Sequence, residues 1–276
     1  MQTRKLTSGD LPDLMRLIVA AGWKQSEQDW LRLLELAPEH CLGIEIDGAI
    51  VSTATAYCYG RDLAWIGMVL THPDFRGQGL ARRLMTELVA ALDGRGIRWQ
   101  RLDATDFGRH LYASLGYEVE YAVERWLRDA ALPSPAAVSI PRPATPADYA
   151  FDTGAFGLSR AELLDSLWQS GSVAAIPGIA HASGREGLDC LYFGPCASRT
   201  PEAARELLDW FLARHPGQPI VWDLIPDNTA ALALARELGF QCSRRLIRMR
   251  RPGPQPGPPI PERISEIYAL AGFQFG

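Results

Sequence analysis

The stretch 66-IGMVLTHPDFRGQGLARRLMTEL-88 decides the fold. It begins with an apolar run typical of a buried strand, passes through a turn containing Gly77 and Gly79, and ends in a segment whose leucines recur every four residues. A strand that enters a helix through a glycine turn leaves several backbone N–H groups unpaired, with the positive end of the helix dipole behind them. The pattern therefore predicts an anion-binding turn suited to a pyrophosphate.

Two other glycine-rich turns produce similar strings, and both fit this sequence poorly. A P-loop needs a Lys-Ser or Lys-Thr pair after its glycines, and residues 76–83 contain none. A dinucleotide-binding turn belongs to a repeating βαβ pattern. Here the turn follows a predicted hairpin, strands 41–46 and 49–59 around Asp47-Gly48, and a third strand at 63–70. A plain structural turn, with glycines for geometry alone, is the remaining alternative.

The elements around this stretch complete one α/β unit. Leucines and other apolar residues at helical spacing predict two short helices near the N-terminus, the second capped by Ser26. After the glycine turn the sequence predicts a helix that ends near Gly94, a strand at 99–104, a helix at 108–115 and a strand at 117–127.

This string resembles the acetyl-CoA motif of the GNAT superfamily of N-acetyltransferases, Arg/Gln-x-x-Gly-x-Gly/Ala after a strand and a short x-Pro loop. The resemblance extends over the first half of the chain in the order of its elements. It implies that the strand backbone binds the pantetheine arm of acetyl-CoA like an added strand, and that the turn amides bind the pyrophosphate. The residues expected to contact acetyl-CoA are Val69, Leu70, Thr71, Arg76, Gly77, Gln78, Gly79, Leu80, Ala81, Arg82 and Thr105.

A second block, 102-LDATDFGRHLYASLGYEVE-120, resembles the family's Asn…Leu-Tyr…Leu-Gly-Phe signature. Tyr112 stands where the family often places the general acid that protonates the departing CoA thiolate. A phenol with a pKa near 10 can donate a proton as that charge develops. A core tyrosine is the alternative. Thr105 and Gly108 replace the family's usual Asn and Ala.

The general base is less well marked. Gln100 stands where some relatives carry a glutamate base, and an amide cannot usefully accept the proton of the amine. Asp103, at the end of its predicted strand, is the tentative base. His72, Glu45 and a relayed water molecule are the alternatives.

The second half repeats the first without its chemistry. An Arg-x-x-Thr-x-x-Asp pattern opens each half, as Arg4, Thr7 and Asp10, then as Arg142, Thr145 and Asp148. A strand at 189–198 leads into a helix at 200–214 with no glycine motif between them, and Ala235 stands where the first half has Tyr112. This copy is therefore expected to bind no acetyl-CoA. Its expected role is either to line the substrate cleft or to stabilise the pair of domains.

The predicted fold class is α/β: tandem GNAT folds, each with a mixed, mainly antiparallel central sheet flanked by helices. The predicted organisation is a GNAT acetyltransferase domain at 1–128, a linker at 129–141, a degenerate GNAT-like domain at 142–250, and a Pro-rich linker with a C-terminal docking helix at 251–276. Covering part of a ligand site is the alternative role for that terminal segment.

Composition limits the partners. With a net charge of −4 divided evenly between the halves, the chain lacks the basic footprint of a nucleic-acid-binding protein. The five scattered cysteines are not spaced as metal ligands, and no segment has the apolar length of a signal peptide or membrane span. The sequence predicts a cytoplasmic, metal-free protein, with a homodimer as one option.

The resemblance implies an N-acetyltransferase that moves the acetyl group of acetyl-CoA to a primary amine. The acceptor is a small-molecule amine or a peptide N-terminus, which the sequence does not distinguish. The alternative, motivated by Gln100, Thr105 and the unidentified base, is a non-catalytic acetyl-CoA-binding regulatory module.

Overall fold

A computed structural model of the chain describes residues 2–135 and 141–276, and these form two compact units. Unit 1 contains residues 2–120, 247–258 and 275, and unit 2 contains the remaining described residues. The first half forms β1 (Gln2–Lys5), α1 (Leu11–Ala21), α2 (Glu27–Leu36), β2 (Cys41–Ile46), β3 (Ala49–Tyr59), β4 (Leu63–Thr71), α3 (Leu80–Gly94), β5 (Trp99–Ala104), α4 (Asp106–Ser114) and β6 (Glu118–Arg128). The second half forms α5 (Tyr149–Phe156), α6 (Ala161–Ser170), β7 (Ser172–Ile176), β8 (Ala180–Glu186), β9 (Leu191–Ser198), α7 (Pro201–Arg214), β10 (Ile220–Leu224), α8 (Thr229–Glu237), β11 (Gln241–Pro252) and β12 (Ile267–Ala269).

Unit 1 has a mixed sheet in the order β1-β2-β3-β4-β5, completed by residues 247–252 of β11. Only the β4–β5 pair is parallel. The predicted hairpin turn is confirmed, since Asp47 and Gly48 both have positive φ. Helix α3 packs its leucine stripe on one face of this sheet, and that contact forms the core of the unit.

Unit 2 has the corresponding sheet in the order β7-β8-β9-β10, completed by residues 124–128 of β6. Here the β9–β10 pair is parallel and the others are antiparallel. Helix α7 packs on this sheet as α3 does in unit 1. Both sheets therefore have the mixed, mainly antiparallel character predicted from the sequence.

The repeat predicted from the opening pattern of each half is confirmed by its hydrogen bonds. In unit 1 the guanidinium of Arg4 donates two hydrogen bonds to Asp10, at 2.9 and 2.7 Å, and the Thr7 amide donates to the same carboxylate at 2.8 Å. The equivalent bonds in unit 2, among Arg142, Asp148 and Thr145, have the same lengths.

The predicted sequence-continuous domains differ from the compact units. The strand predicted at 117–127 as the end of the first domain pairs with β10 of unit 2 from Glu124 to Arg128. Residues 247–252, placed by the prediction at the end of the second domain, pair with β5 of unit 1. The two strands end equivalent halves, so their sequence pattern does not specify which neighbouring strand each one joins.

The prediction that a C-terminal docking helix follows the Pro-rich linker within 251–276 is wrong. Residues Ile264–Glu266 form one 3₁₀ turn, and β12 follows as an extended strand paired with β9. Residues 267–269 form a strand despite the helical periodicity of the sequence, because β9 offers unpaired backbone groups along its edge. The preceding Pro-rich segment is docked on unit 1, where the Gly253 amide donates to the Arg98 carbonyl at 2.8 Å.

The predicted linker at 129–141 lies partly outside the described residues, at positions 136–140. Over 2–135 and 141–276, no helix combines the length and apolar character needed to cross a membrane. In the same ranges no three His, Cys, Asp or Glu side chains are grouped so as to hold a metal ion.

Candidate functional site

The end of β4 carries a bulge that sets its backbone apart from a regular strand. Thr53 lies opposite Leu70 and Thr55 lies opposite Gly67, so two residues of β4 oppose one residue of β3. Met68, within the bulge, has a φ of 48°, a left-handed conformation that is uncommon for a side chain of this kind. The bulge therefore changes the direction of the backbone groups just before the predicted pantetheine residues.

Strands β4 and β5 separate at this bulge. Their parallel pairing runs only from Leu63 to Ile66 on β4, opposite Trp99 to Leu102 on β5. Within the described chain, Gly67, Leu70 and Thr71 have partners on β3, Met68 and Val69 form the bulge, and none of residues 67–71 has a partner on β5. Their free backbone edge is a place where an extended ligand can add like a strand. Val69, Leu70 and Thr71 lie along it, as the prediction requires.

Hydroxyl groups on β3 hold the bulged backbone in place. Thr53 Oγ1 donates to the Met68 carbonyl at 2.7 Å, and Thr55 Oγ1 donates to the Gly67 carbonyl at 3.0 Å. Both threonine side chains are fully buried. A buried carbonyl that lost such a donor would have to remain unsatisfied or move, so the hydroxyls fix the shape of the cleft edge.

Replacing Thr53 with Val is expected to lower the free energy of unfolding by about 1–3 kcal/mol, because the shape is kept while the Met68 carbonyl loses its donor. Urea unfolding measures this change, and acetyl-CoA affinity should fall with it as the bulge relaxes. The matched control is Thr86→Val, whose hydroxyl bonds to the Arg82 carbonyl on an exposed helix face. An equal, small effect of both substitutions would show that the Thr53 hydroxyl does not hold the bulge.

The turn before α3 presents a row of unpaired amides. The Arg83 amide donates to the Gly79 carbonyl at 3.0 Å, whereas the amides of residues 77–82 donate to no acceptor in the described part of the chain. Residues 76–79 are exposed. Gly77 and Gly79 have φ values of 76° and 78°, and a Cβ at either position would meet no protein atom within 4 Å. The turn thus has donors, a helix dipole and open space, which together fit a pyrophosphate.

Two arginines give this turn positive charge. Arg76 Nε donates to the Thr71 carbonyl at 3.3 Å, and Arg82 donates to Ser114 Oγ on α4 at 2.9 Å. Within the described residues neither has a carboxylate partner, whereas Arg83 pairs with Glu87. Arg76 and Arg82 are therefore available to a polyanion, and the contact with Ser114 brings α4 beside the N-terminus of α3.

Tyr112 lies on α4 with 8% of its surface exposed. The Tyr112 ring lies against Gly108. A Cβ at position 108 would lie 2.8 Å from Cε2 of Tyr112, and this close approach explains why glycine replaces the family's alanine. Burial raises the pKa of the phenol above its ordinary value, and its hydroxyl has no hydrogen-bond partner in the described residues. Tyr112 is therefore a protonated donor with its hydrogen bond still to be made.

Gln100 is a structural residue. It is fully buried, its Nε2 donates to Asp93 at 2.8 Å, and its Oε1 accepts from the Tyr117 hydroxyl at 2.7 Å. Asp93 in turn accepts two hydrogen bonds from Arg251. The glutamate base of some relatives is thus replaced by an amide that links the half-buried Asp93 to the buried Tyr117.

Asp103 forms a buried ion pair with Arg248, at 2.8 and 3.0 Å, and the side chains of both are at most 1% exposed. The Arg248 guanidinium also lies over the Trp65 ring, 4.3 Å from its centre. A carboxylate held by two charge-assisted bonds is stabilised as an anion and is a poor proton acceptor. This geometry does not favour Asp103 as the base.

The other candidate bases lie on elements other than β5. Glu45 is on β2, with β3 between it and β4, and it pairs with Arg4 at 2.6 Å. His72 follows β4, and its Nδ1 accepts from the Asp74 amide at 3.4 Å. Thr105 caps α4, where its Oγ1 accepts from the Gly108 amide at 3.3 Å.

Sequence reasoning missed several residues that shape this site. The hydroxyls in 52-STAT-55 interrupt an apolar strand, and that interruption was a usable signal. Ser114 and Arg248 gave no signal, because each acts through a partner that is remote in sequence.

Comparisons with known proteins identify the family. Residues 37–119 and residues 149–269 each match a family model described as an acetyltransferase (GNAT) domain. The acetyltransferase YE1169 of Yersinia enterocolitica is 35% identical over 102 residues, which are 36% of this chain and 71% of that protein. The uncharacterized N-acetyltransferase YitH of Bacillus subtilis is 24% identical over 247 residues, 86% of each chain.

The fold has a counterpart among solved structures. A crystal structure from Pyrococcus horikoshii covers 100% of this chain and 95% of its own, with a TM-score of 0.83 at 18% identity. The chain therefore belongs to the GNAT acetyltransferase family and is an acyltransferase with two GNAT domains in tandem. The family generally uses acetyl-CoA and amine acceptors.

Proposed function

We propose that unit 1 transfers the acetyl group of acetyl-CoA to a primary amine. The observation that carries this proposal is the continuity of two free backbone surfaces. The unpaired edge of residues 67–71 leads, through the loop at 72–76, to the row of unpaired amides at 77–82. A pantetheine arm and a pyrophosphate need these two surfaces in this order.

The cofactor contacts follow from that continuity. The backbone of Val69, Leu70 and Thr71 pairs with the pantetheine, and the turn amides with Arg76 and Arg82 bind the pyrophosphate. The glycines leave room for the phosphate oxygens. Bound acetyl-CoA supplies a thioester carbonyl for attack.

Tyr112 protonates the leaving group. The neutral amine nitrogen forms a bond to the acetyl carbon, the carbon–sulfur bond breaks, and the sulfur leaves with the electron pair. The Tyr112 hydroxyl donates its proton to that thiolate and is then reprotonated from solvent. Because burial raises the pKa of Tyr112 above about 10, the phenol is protonated at neutral pH.

The amine proton leaves through water. Asp103 is held in a buried ion pair by Arg248, so this carboxylate is not free to accept it, and Glu45 lies on β2 with β3 between it and β4. An amine that enters in its neutral form loses its extra proton after attack, and a relayed water can carry that proton to solvent. The acceptor is a small-molecule amine or a peptide N-terminus.

Release of CoA thiol tests the proposal. Acetyl-CoA is incubated with the protein and a panel of small primary amines and peptides with free N-termini, and thiol release is followed with a disulfide reagent. We expect amine-dependent thiol release together with a mass increase of about 42 Da in the acceptor. This is the mass added when an acetyl group replaces a hydrogen atom. Reactions without amine give the background from exposed Cys242. Acetyl-CoA binding with no thiol release across the panel would contradict catalysis.

A further inference from the structure

Unit 2 retains the cleft geometry that unit 1 offers to acetyl-CoA. Strand β9 pairs in parallel with β10 only from Leu191 to Phe193, opposite Ile220 to Trp222. Beyond Phe193 the strands separate, as β4 and β5 do in unit 1. The loss of the glycine motif has therefore not closed the space between the two strands.

The two clefts can be aligned through their bulges. In each, two residues of the cleft strand oppose one residue of the neighbouring strand. The registers are Thr53 opposite Leu70 and Thr55 opposite Gly67 in unit 1, and Ala182 opposite Cys196 and Gly184 opposite Phe193 in unit 2. Counted from the bulge, Cys196 and Ala197 correspond to Leu70 and Thr71, which belong to the proposed pantetheine edge.

In unit 2 that edge is paired with the C-terminal segment of the chain. Strand β12 runs antiparallel to β9, with Ile267 opposite Ala197 and Ala269 opposite Cys196. On the other side, the Leu270 amide donates to the carbonyl of Asp223 on β10 at 2.8 Å. The segment thus bonds to both walls of the cleft.

The segment is also held by side chains of unit 2. The Asn228 amide nitrogen lies 3.2, 3.3 and 3.0 Å from the carbonyl oxygens of Ile264, Ser265 and Ile267. Asn228 Oδ1 accepts from the Ala231 amide at 3.0 Å and caps α8. Each residue from 267 to 271 is at most 4% exposed, so the segment is enclosed as a core strand is.

Close approach at Gly194 shows how tightly the segment is fitted. A Cβ at this position would lie 2.2 Å from the Leu270 carbonyl oxygen and 3.1 Å from the Ala269 Cβ. The phosphate end of the cleft is closed as well. Only residues 199–200 join β9 to α7, and Thr200 Oγ1 accepts from the Ala203 amide at 3.2 Å.

We propose that the cleft of unit 2 is a binding site for a peptide segment with an extended core, that residues 264–270 are its resident ligand with 267–269 as the extended part, and that it takes no acetyl-CoA. The comparison of the two clefts rests on the proposed function of unit 1. The contacts of the segment with β9, β10 and Asn228 do not. A cofactor edge has become a β-augmentation site filled from within the chain.

Hydrogen exchange of the full-length protein tests this inference. Asn228→Asp keeps an oxygen that caps α8 but removes the donor to three carbonyls, and Gly194→Ala places a methyl group against the segment. In each variant we expect the amides of residues 267–270 to exchange at least about tenfold faster than in the wild type, with α7 still protected. Protection of 267–270 that is unchanged in both variants would overturn the proposal.

Matched controls isolate the segment contacts. Asp227→Asn changes an exposed neighbour of Asn228, and Gly178→Ala changes a glycine with a φ of 69° whose Cβ would meet nothing within 4 Å. Both should leave the exchange of 267–270 at the wild-type rate.

Calorimetry of the wild type should give one acetyl-CoA per chain, and two per chain would overturn the inference. Absence of acetyl-CoA binding would refute the function of unit 1 alone, since the exchange measurement uses no cofactor.

Discussion

A Gly79→Val variant is expected to bind acetyl-CoA at least about a hundredfold more weakly than the wild-type chain. Gly79 is the N-cap of α3, with a φ of 78° and open space where a Cβ would project. A valine would fill the space proposed for the phosphate oxygens and would strain the turn. Losing two charge-assisted hydrogen bonds of about 1.5–3 kcal/mol each accounts for the size of the effect, which calorimetry measures directly.

Gly48→Val provides the control for backbone strain. Gly48 has a φ of 79° in the hairpin turn of the same unit, and a Cβ there would also meet no protein atom within 4 Å. Both variants carry a left-handed valine, which costs about 1–2 kcal/mol, so both should lose similar stability. Only Gly79→Val should lose cofactor affinity. Tight binding by Gly79→Val would remove the pyrophosphate from this turn.

Tyr112→Phe is expected to lower kcat by about a hundredfold while the Kd for acetyl-CoA stays the same. The phenol is the proposed proton donor to the CoA thiolate, and its hydroxyl makes no hydrogen bond to another described residue that would be lost. Steady-state kinetics with a reactive amine and calorimetry with acetyl-CoA separate the two quantities. Unchanged turnover would exclude Tyr112 as the acid.

The neighbouring Tyr117 supplies a matched control. Its ring packs edge-on against Tyr112 with 6.2 Å between centres, and its hydroxyl donates to the buried Gln100 Oε1 at 2.7 Å. Tyr117→Phe should lower the free energy of unfolding by about 1–3 kcal/mol, because that oxygen loses its donor, and should leave turnover unchanged. A loss of turnover equal to that of Tyr112→Phe would indicate that packing of the pair, rather than proton donation, matters.

Local patterns predicted most of unit 1 correctly. The hairpin at Asp47-Gly48, the capped helix after Ser26 and the glycine turn each depend on residues that are adjacent in sequence. The family resemblance, and with it the acyltransferase class, rests on the same kind of local signal. Patterns of this kind can be predicted from the sequence because backbone conformation at turns and caps is set by the residues at those positions.

The catalytic base could not be identified from the sequence in the same way. Asp103 is a carboxylate near the end of β5, which made it the tentative base, but its partner Arg248 is 145 residues away in sequence. Gln100 likewise joins Asp93 and Tyr117 in one hydrogen-bond network. Whether a carboxylate is free or paired depends on what folding brings beside it, and no sequence window contains that information.

By itself the sequence determined two things: a duplicated α/β chain, and a first half with a left-handed glycine turn before a helix, for which we propose pyrophosphate binding. Only the tertiary structure decided which sheet each terminal strand completes and what fills the cleft of unit 2. The two strands end equivalent halves of the chain, so the choice of sheet depends on remote contacts such as Arg248 with Asp103 and Arg125 with Asp223. Residues 267–269 became a strand because β9 offered them an unpaired edge.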